Sequence, residues 1–131
     1  MNSSTVPATG TATTHLFVYG SLTDPRRLDD VLGYHFAGER LRARLTGFER
    51  VLPDGMEYPF LVEQPSRTVD GILIMDLSPS DLDVLDRYEE VGDGVYQRIS
   101  VEVETWGCGP RPAFLRAHTY VGGARLRSTA S

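Results

Sequence analysis

A chain of 131 residues, 40% of them hydrophobic, is one domain's worth and enough for a single core. Its net charge is −5 and its 13 basic residues are all arginine, a balance that argues against nucleic acid, which calls for a basic footprint. No apolar run approaches a membrane span, and the single cysteine, Cys108, excludes an internal disulfide.

The opening MNSSTVPATGTATT has neither a basic start nor an apolar segment, so it does not read as a secretory signal. Serine, threonine, alanine and glycine dominate it, and residues 1–14 are expected to be a disordered leader. Leu16-Phe17-Val18-Tyr19 is a short apolar run stopped by Gly20, a buried strand. Asp24 then Pro25 is an N-cap followed by proline at the first helical position, and Gly33 ends that helix. Residues 35–50 read as a long strand broken near Gly47, with Arg40, Arg42 and Arg44 alternating against Leu41, Ala43 and Leu45 as its wet face.

Pro53, Asp54, Gly55 and Pro59 mark a turn, Phe60–Val62 a short strand, and Gly71-Ile72-Leu73-Ile74-Met75 a separate central strand. Ser78-Pro79-Ser80-Asp81 is a capping-box start for a second helix, which runs to about Glu89 before Gly92 and Gly94. Ile99, Val101 and Val103 alternate with polar residues in a half-buried strand, and Ala113 to Val121 supplies the last one. The domain is expected to span residues 15–121, with 122–131 as a frayed tail. Many strands and two short helices give an α+β class, a small mixed β-barrel with short flanking helices.

Three segments carry candidate chemistry. Tyr19-Gly20-Ser21-Leu22 lets a strand end in glycine before a capped helix, where backbone can approach a ligand and free N–H groups can cradle an anion. Strand-Gly-Ser turns are also common without function. On the second helix Leu82, Leu85 and Glu89 share a face, and Asp83, Asp86, Arg87 and Glu90 are assigned to the wet side. A carboxylate on the apolar stripe is either a proton shuttle raised above its usual pKa or a glutamate leaving the core at the helix end. Tyr96 and Arg98 share a strand face, lining a pocket or making a buried hydrogen bond and a surface ion pair. Cys108, in WGCGP, lacks a CxxC partner and reads as a loop cysteine of a reducing, cytoplasmic compartment. His15, His35 and His118 show no ligand spacing, so neither metal nor organic cofactor is expected.

Taken together, LFVYGSLTDPRRLDDVLG, LTGFERV, YPFLVE, VDGILIMDLSPSDLDVLDRYEEV and YQRISVEVET resemble the gamma-glutamylcyclotransferase-like family, in its branch of avirulence-induced plant proteins and microbial relatives. The resemblance runs from about Leu16 to Tyr120. It implies a small α+β barrel, and an activity that cleaves a gamma-glutamyl amide and releases 5-oxoproline. It also implies that Tyr19, Gly20, Ser21 and Leu22 hold the glutamyl group through backbone amides, that Glu89 in the LDxxE segment is the acid/base, and that Tyr96 and Arg98 form the YxR that follows. Tyr58, before Pro59, and Tyr120 match positions near the pocket. Where the family usually has glycine after the essential glutamate, this chain has Glu90. The implied partner is a small gamma-glutamyl molecule. A non-catalytic binding module and an amide hydrolase releasing glutamate remain the alternatives, and oligomeric state is not legible.

Overall fold

The computed structural model describes residues 13–52, 54–55, 59–89, 92, 94–106 and 111–123. The expectations for the leader up to residue 12, the tail from residue 124, Tyr58, Glu90 and Cys108 lie outside the described residues. Five strands and two α-helices follow in the order β1 (Thr14–Val18), a 3-10 turn (Ser21–Thr23), α1 (Pro25–Leu32), β2 (Arg40–Val51), β3 (Phe60–Leu77), α2 (Pro79–Tyr88), β4 (Tyr96–Thr105) and β5 (Ala113–Gly122). The sheet closes into a barrel in the order β1-β3-β2-β4-β5, as the α+β expectation requires.

Both helices begin as their sequences dictate. The Asp24 carboxylate accepts from the Arg26 amide at 3.0 Å, Pro25 presets the first turn, and Gly33 closes α1 at φ 83°. Ser78 and Asp81 form a reciprocal capping box at α2, each side chain accepting a backbone N–H at 3.1 Å. Asp81 also accepts the Tyr34 hydroxyl on both oxygens at 2.9 Å, so the cap ties α2 to the segment after α1.

Alternation sorts the strands into two cores. Leu41, Ala43, Leu45, Val101, Val103, Phe17 and Leu73 fill the barrel interior. Leu16, Val18, Ile74, Leu77 and Tyr120 face outward and are covered by Leu28 of α1 and by Leu82 and Leu85 of α2. Each fully buried leucine or phenylalanine contributes about 1.5–3 kcal/mol of hydrophobic stabilisation.

Three strand expectations are revised. The second strand starts at Arg40, not at residue 35. Phe60–Val62 and Gly71–Met75 are parts of one 18-residue strand, β3. Between them the register with β2 steps from Thr46–Thr68 to Phe48–Glu63, so Gln64-Pro65-Ser66-Arg67 bulge out opposite Gly47, which takes φ 95°. That exposed polar stretch with its proline reads locally as a turn. Finally, Arg40 does not belong to a uniformly wet face. Arg42 and Arg44 lie over Trp106 at 5.8 and 5.6 Å, and Arg44 pairs with Asp70 at 2.8 Å. The terminal nitrogens of Arg40, by contrast, are buried without a hydrogen-bond partner among the described residues.

Closure has a weak seam. β1 joins β5 in parallel through Leu16–His118 and Phe17–Thr119, while β2 and β4 pair at Ala43–Thr105 and Arg44–Glu104. Beyond those two pairs β2 and β4 part, and the barrel opens as a cavity of about 280 Å³ with Phe48 on one side and Ile99 on the other.

Candidate active site

The chain leaves β1 at this open end. Tyr19 turns inward against the interior core, and its hydroxyl donates to the Tyr120 carbonyl at 2.6 Å. The Leu61 main chain hydrogen-bonds the same hydroxyl. Burial pushes the phenol well above its ordinary pKa, with the Tyr96 and Glu89 charges adding to the effect, so Tyr19 stays a neutral donor.

Gly20 then opens the 3-10 turn. Its carbonyl accepts the Thr23 amide at 3.0 Å and the Thr23 hydroxyl at 2.7 Å. The amides of Ser21 and Leu22 precede the first bond of the turn and take no partner within it. Leu22 is anchored in the outer core, which fixes the turn, and the Ser21 hydroxyl lies 3.3 Å from that of Tyr88 on α2. A Cβ placed on Gly20 would meet nothing closer than the Pro59 ring at 3.8 Å. The fold itself therefore has room for a side chain there.

Glu89 caps the C-terminus of α2, its amide donating to the Leu85 carbonyl at 2.9 Å. It stands half-buried on the face of Leu82 and Leu85, as the helical spacing requires. Burial raises its carboxyl from the usual carboxylate range to about 7. Among the described residues no side chain donates a hydrogen bond to it. Near neutrality such a group is divided between its two protonation states and can take or give a proton.

Tyr96, Arg98 and Tyr120 come together on the outward faces of β4 and β5, beside α2. The Tyr96 hydroxyl donates to the Pro59 carbonyl at 2.8 Å, pinning the segment that faces Gly20. Arg98 grips Asp86 with two bonds, Nε to Oδ1 at 2.8 Å and Nη2 to Oδ2 at 3.1 Å, which raises its pKa further. The Tyr120 hydroxyl donates to Asp86 Oδ1 at 2.7 Å. Burial, then that bond, raises the Tyr120 phenol well above its ordinary pKa. Arg98 Nη1 also donates to His118 Nδ1, whose pKa is lowered by burial and by the neighbouring guanidinium.

Two members of this cluster were not legible as site residues. Asp86, assigned to the wet side of α2, is instead the shared acceptor of Arg98 and Tyr120. The i, i+3, i+4, i+7 stripe beginning at Leu82 includes position 86, and that signal would have found it. His118 carries no local pattern; only its strand register, opposite Ser100 and two pairs along from Arg98–Tyr120 on the same face, brings it in.

No three His, Cys, Asp or Glu side chains among the described residues gather as a metal site, and no helix among them is long and apolar enough to cross a membrane.

Known proteins share this fold. The family described as gamma-glutamyl cyclotransferase, AIG2-like, matches residues 16–130. AIG2-like protein C of Arabidopsis thaliana is 31% identical over 112 residues, covering 86% of this chain but 60% of its own length. A solution structure of another Arabidopsis thaliana protein superposes with a TM-score of 0.72 at 27% identity, covering 92% of this chain and 66% of that one. A solved gamma-glutamyl cyclotransferase shares the fold with a TM-score of 0.70 at 20% identity, over 85% and 67% of the two chains. With the fold and the extent of that match in agreement, this chain belongs to the gamma-glutamyl cyclotransferase, AIG2-like family.

Proposed function

We propose that this chain is a gamma-glutamyl cyclotransferase with Glu89 as its acid/base. The observation that carries the reading is a carboxyl raised by burial to about 7 at the barrel end where the Gly20 turn is held. Family membership supports the same chemistry.

The reaction is internal to the substrate. The α-carboxylate of the glutamyl group rests on the amides of Ser21 and Leu22, with Gly20 leaving the approach open. This folds the substrate so that its α-amine faces its own γ-carbonyl, and the gain is one of proximity. Glu89, as carboxylate, takes a proton from the α-ammonium. The freed amine adds to the γ-carbon, closing a five-membered ring. Glu89 returns that proton to the departing nitrogen as the C–N amide bond breaks, then takes the second proton from the ring nitrogen and passes it to the freed amine, so that 5-oxoproline and a protonated amine result. Tyr19 and Tyr120, kept neutral, shape the wall of the site, and Tyr96 fixes Pro59 opposite the turn. Arg98 acts on β4 and α2 through Asp86 and does not touch the substrate in this scheme. Tyr58 is retained as a substrate-contacting position on the resemblance alone.

Incubation with a panel of gamma-glutamyl amides, followed by mass detection, tests the reading. 5-Oxoproline is the expected product. Free glutamate without 5-oxoproline would make the protein a hydrolase, and an unchanged panel bound by the protein would make it a binding module.

A further inference from the structure

We infer that His118 is a positioning residue for the Glu89 site: its imidazole, as a neutral acceptor, aims the Arg98 fork at Asp86 and so fixes the end of α2 and the Tyr120 hydroxyl. The inference rests on the cyclotransferase reading of the Glu89 site.

The donor decides the state of the ring. A guanidinium carries only N–H donors and no acceptor, so His118 Nδ1, which meets Arg98 Nη1, holds a lone pair and not a proton. The imidazole is therefore neutral, with its proton on Nε2. Arg98 is then engaged on every side of its fork. Nη1 ends on His118, while Nε and Nη2 end on the two oxygens of Asp86 at 2.8 and 3.1 Å. Such a two-bond pair demands one orientation of the planar fork, and an acceptor behind Nη1 selects it. Asp86 Oδ1 takes the Tyr120 hydroxyl as well, at 2.7 Å. Asp86 stands one turn before Glu89, the residue that caps α2, and the Tyr120 phenol is near enough to feel the Glu89 charge. The path from His118 to Glu89 thus runs through Arg98, Asp86 and the last turn of α2.

Protonation would undo the arrangement. An imidazolium presents N–H at Nδ1, so it offers Arg98 no acceptor and sets one cation against another. From β4, Arg98 faces the ring, with Ser100 directly opposite in the register. From α2, Asp86 favours the imidazolium, and Asp83 acts on Arg98 from the same helix. From β1, Leu16 is the paired residue and brings no charge. On β5 itself Tyr120 lies to one side along the face, and Arg116, opposite Glu102, to the other. Burial and then Arg98 outweigh Asp86, so the ring titrates below its ordinary range. His118 therefore stays neutral through the range in which Glu89 ionises, and is protonated only at lower pH.

The full chain, His118→Asn and His118→Leu separate the acceptor from mere packing. An asparagine Oδ1 takes the place of Nδ1 and cannot be protonated, whereas leucine only fills the space. In the parent at pH 8 the imidazole nitrogen shifts, read by NMR, should show the neutral Nε2–H tautomer; the Nδ1–H tautomer or an imidazolium would overturn the inference. The Glu89 carboxyl carbon, followed by NMR, should titrate near 7 in the parent and in His118→Asn. In His118→Leu its midpoint should fall by at least about half a unit, as the loosened helix end lets water reach it. At pH 8 His118→Leu should lose about 10–100-fold in kcat with KM little changed, the size expected of a small misplacement near the chemistry. His118→Asn should restore most of the parent's kcat. Below the Glu89 midpoint the parent should lose a further factor of about that size as His118 is protonated, while His118→Asn shows the Glu89 limb alone. A His118→Leu protein with the parent's kcat and Glu89 midpoint would overturn the inference, and so would a His118→Asn protein as slow as the leucine variant. The NMR readouts need no turnover. A parent that releases no 5-oxoproline therefore removes the cyclotransferase reading, while the tautomer and the Glu89 midpoint still judge the role of His118.

Discussion

A carboxyl lifted out of water at a helix end, with no donor among the described side chains, is easier to keep protonated than ionised. That is the physical content of the rise at Glu89 to about 7, and it has a consequence for stability. The folded-state pKa lies above that of the unfolded chain, so the contribution is fully present below about 4.5 and is lost as pH rises through about 7. Its size is on the order of 3–4 kcal/mol, since the rise from 4.5 to about 7 is worth about 1.4 kcal/mol per unit. Glu89→Gln should abolish this slope, leaving a variant more stable than the parent at pH 8 and nearly equal to it at pH 4.5. Thermal melts of the two proteins across that range check the sign, and a parent that gains stability relative to the variant between pH 5 and 8 would refute the burial argument. Helical spacing puts Glu89 on the apolar stripe of Leu82 and Leu85, although Tyr19 and Tyr120, from outside the helix, also stand close enough to feel its charge. The same spacing puts Asp86 on that stripe, but its partners arrive from β4 and β5, and nothing in the helix's own sequence names them.

At the scale of elements, one carboxylate of α2 binds two strands of the barrel, beside the apolar contacts of Leu82 and Leu85. Asp86 collects Arg98 and Tyr120 from two adjacent strands, so the helix end that carries Glu89 cannot slide without breaking charged bonds. Asp86→Ala should cost about 1–3 kcal/mol by leaving a half-buried guanidinium and a buried hydroxyl unpaired. Tyr120→Phe, which removes one partner and keeps the ion pair, should cost about 1 kcal/mol. Denaturant melts separate the two, and an Asp86→Ala protein as stable as its parent would show that the latch contributes nothing. The Gly20 turn behaves differently. A side chain there meets only ordinary contact, so Gly20→Val should fold nearly as well as the parent while its affinity for a gamma-glutamyl ligand drops by at least tenfold, read by calorimetry. Unchanged affinity would remove this turn from the site. The ends of both helices were readable because caps are local chemistry, Asp24-Pro25 and Ser78-x-x-Asp81. The continuity of β3 through Gln64–Arg67 was not, because a bulge is defined by its partner strand and its own residues imitate a turn.

For the molecule as a whole, the site exists only when the barrel is closed. Tyr19 and Tyr120 stand about a hundred positions apart and meet through the parallel pairing of β1 with β5. β1 in turn lies close against β3 at Gly71, where a Cβ would come within 2.2 Å of the Val18 carbonyl oxygen and 2.8 Å of the Phe17 ring. Gly71→Ala should therefore destabilise the protein by about 1–3 kcal/mol, seen as a lowered melting temperature, and a variant matching the parent would mean that β1 can shift freely. The α+β class and a barrel were legible from strand alternation and helix caps, and the family pattern pointed to the same barrel. The parted seam between β2 and β4 was legible from neither, because it depends on which strands fail to pair. The measurement that bears most directly on Glu89 as acid/base is the pH dependence of 5-oxoproline release under limiting substrate, for the parent, Glu89→Gln and Glu90→Gln. The parent and Glu90→Gln should rise with pH through a midpoint near 7 as Glu89 ionises, while Glu89→Gln should bind substrate yet turn over about 10²–10⁴-fold more slowly. A Glu89→Gln protein with the parent's rate and the parent's pH profile would contradict the assignment.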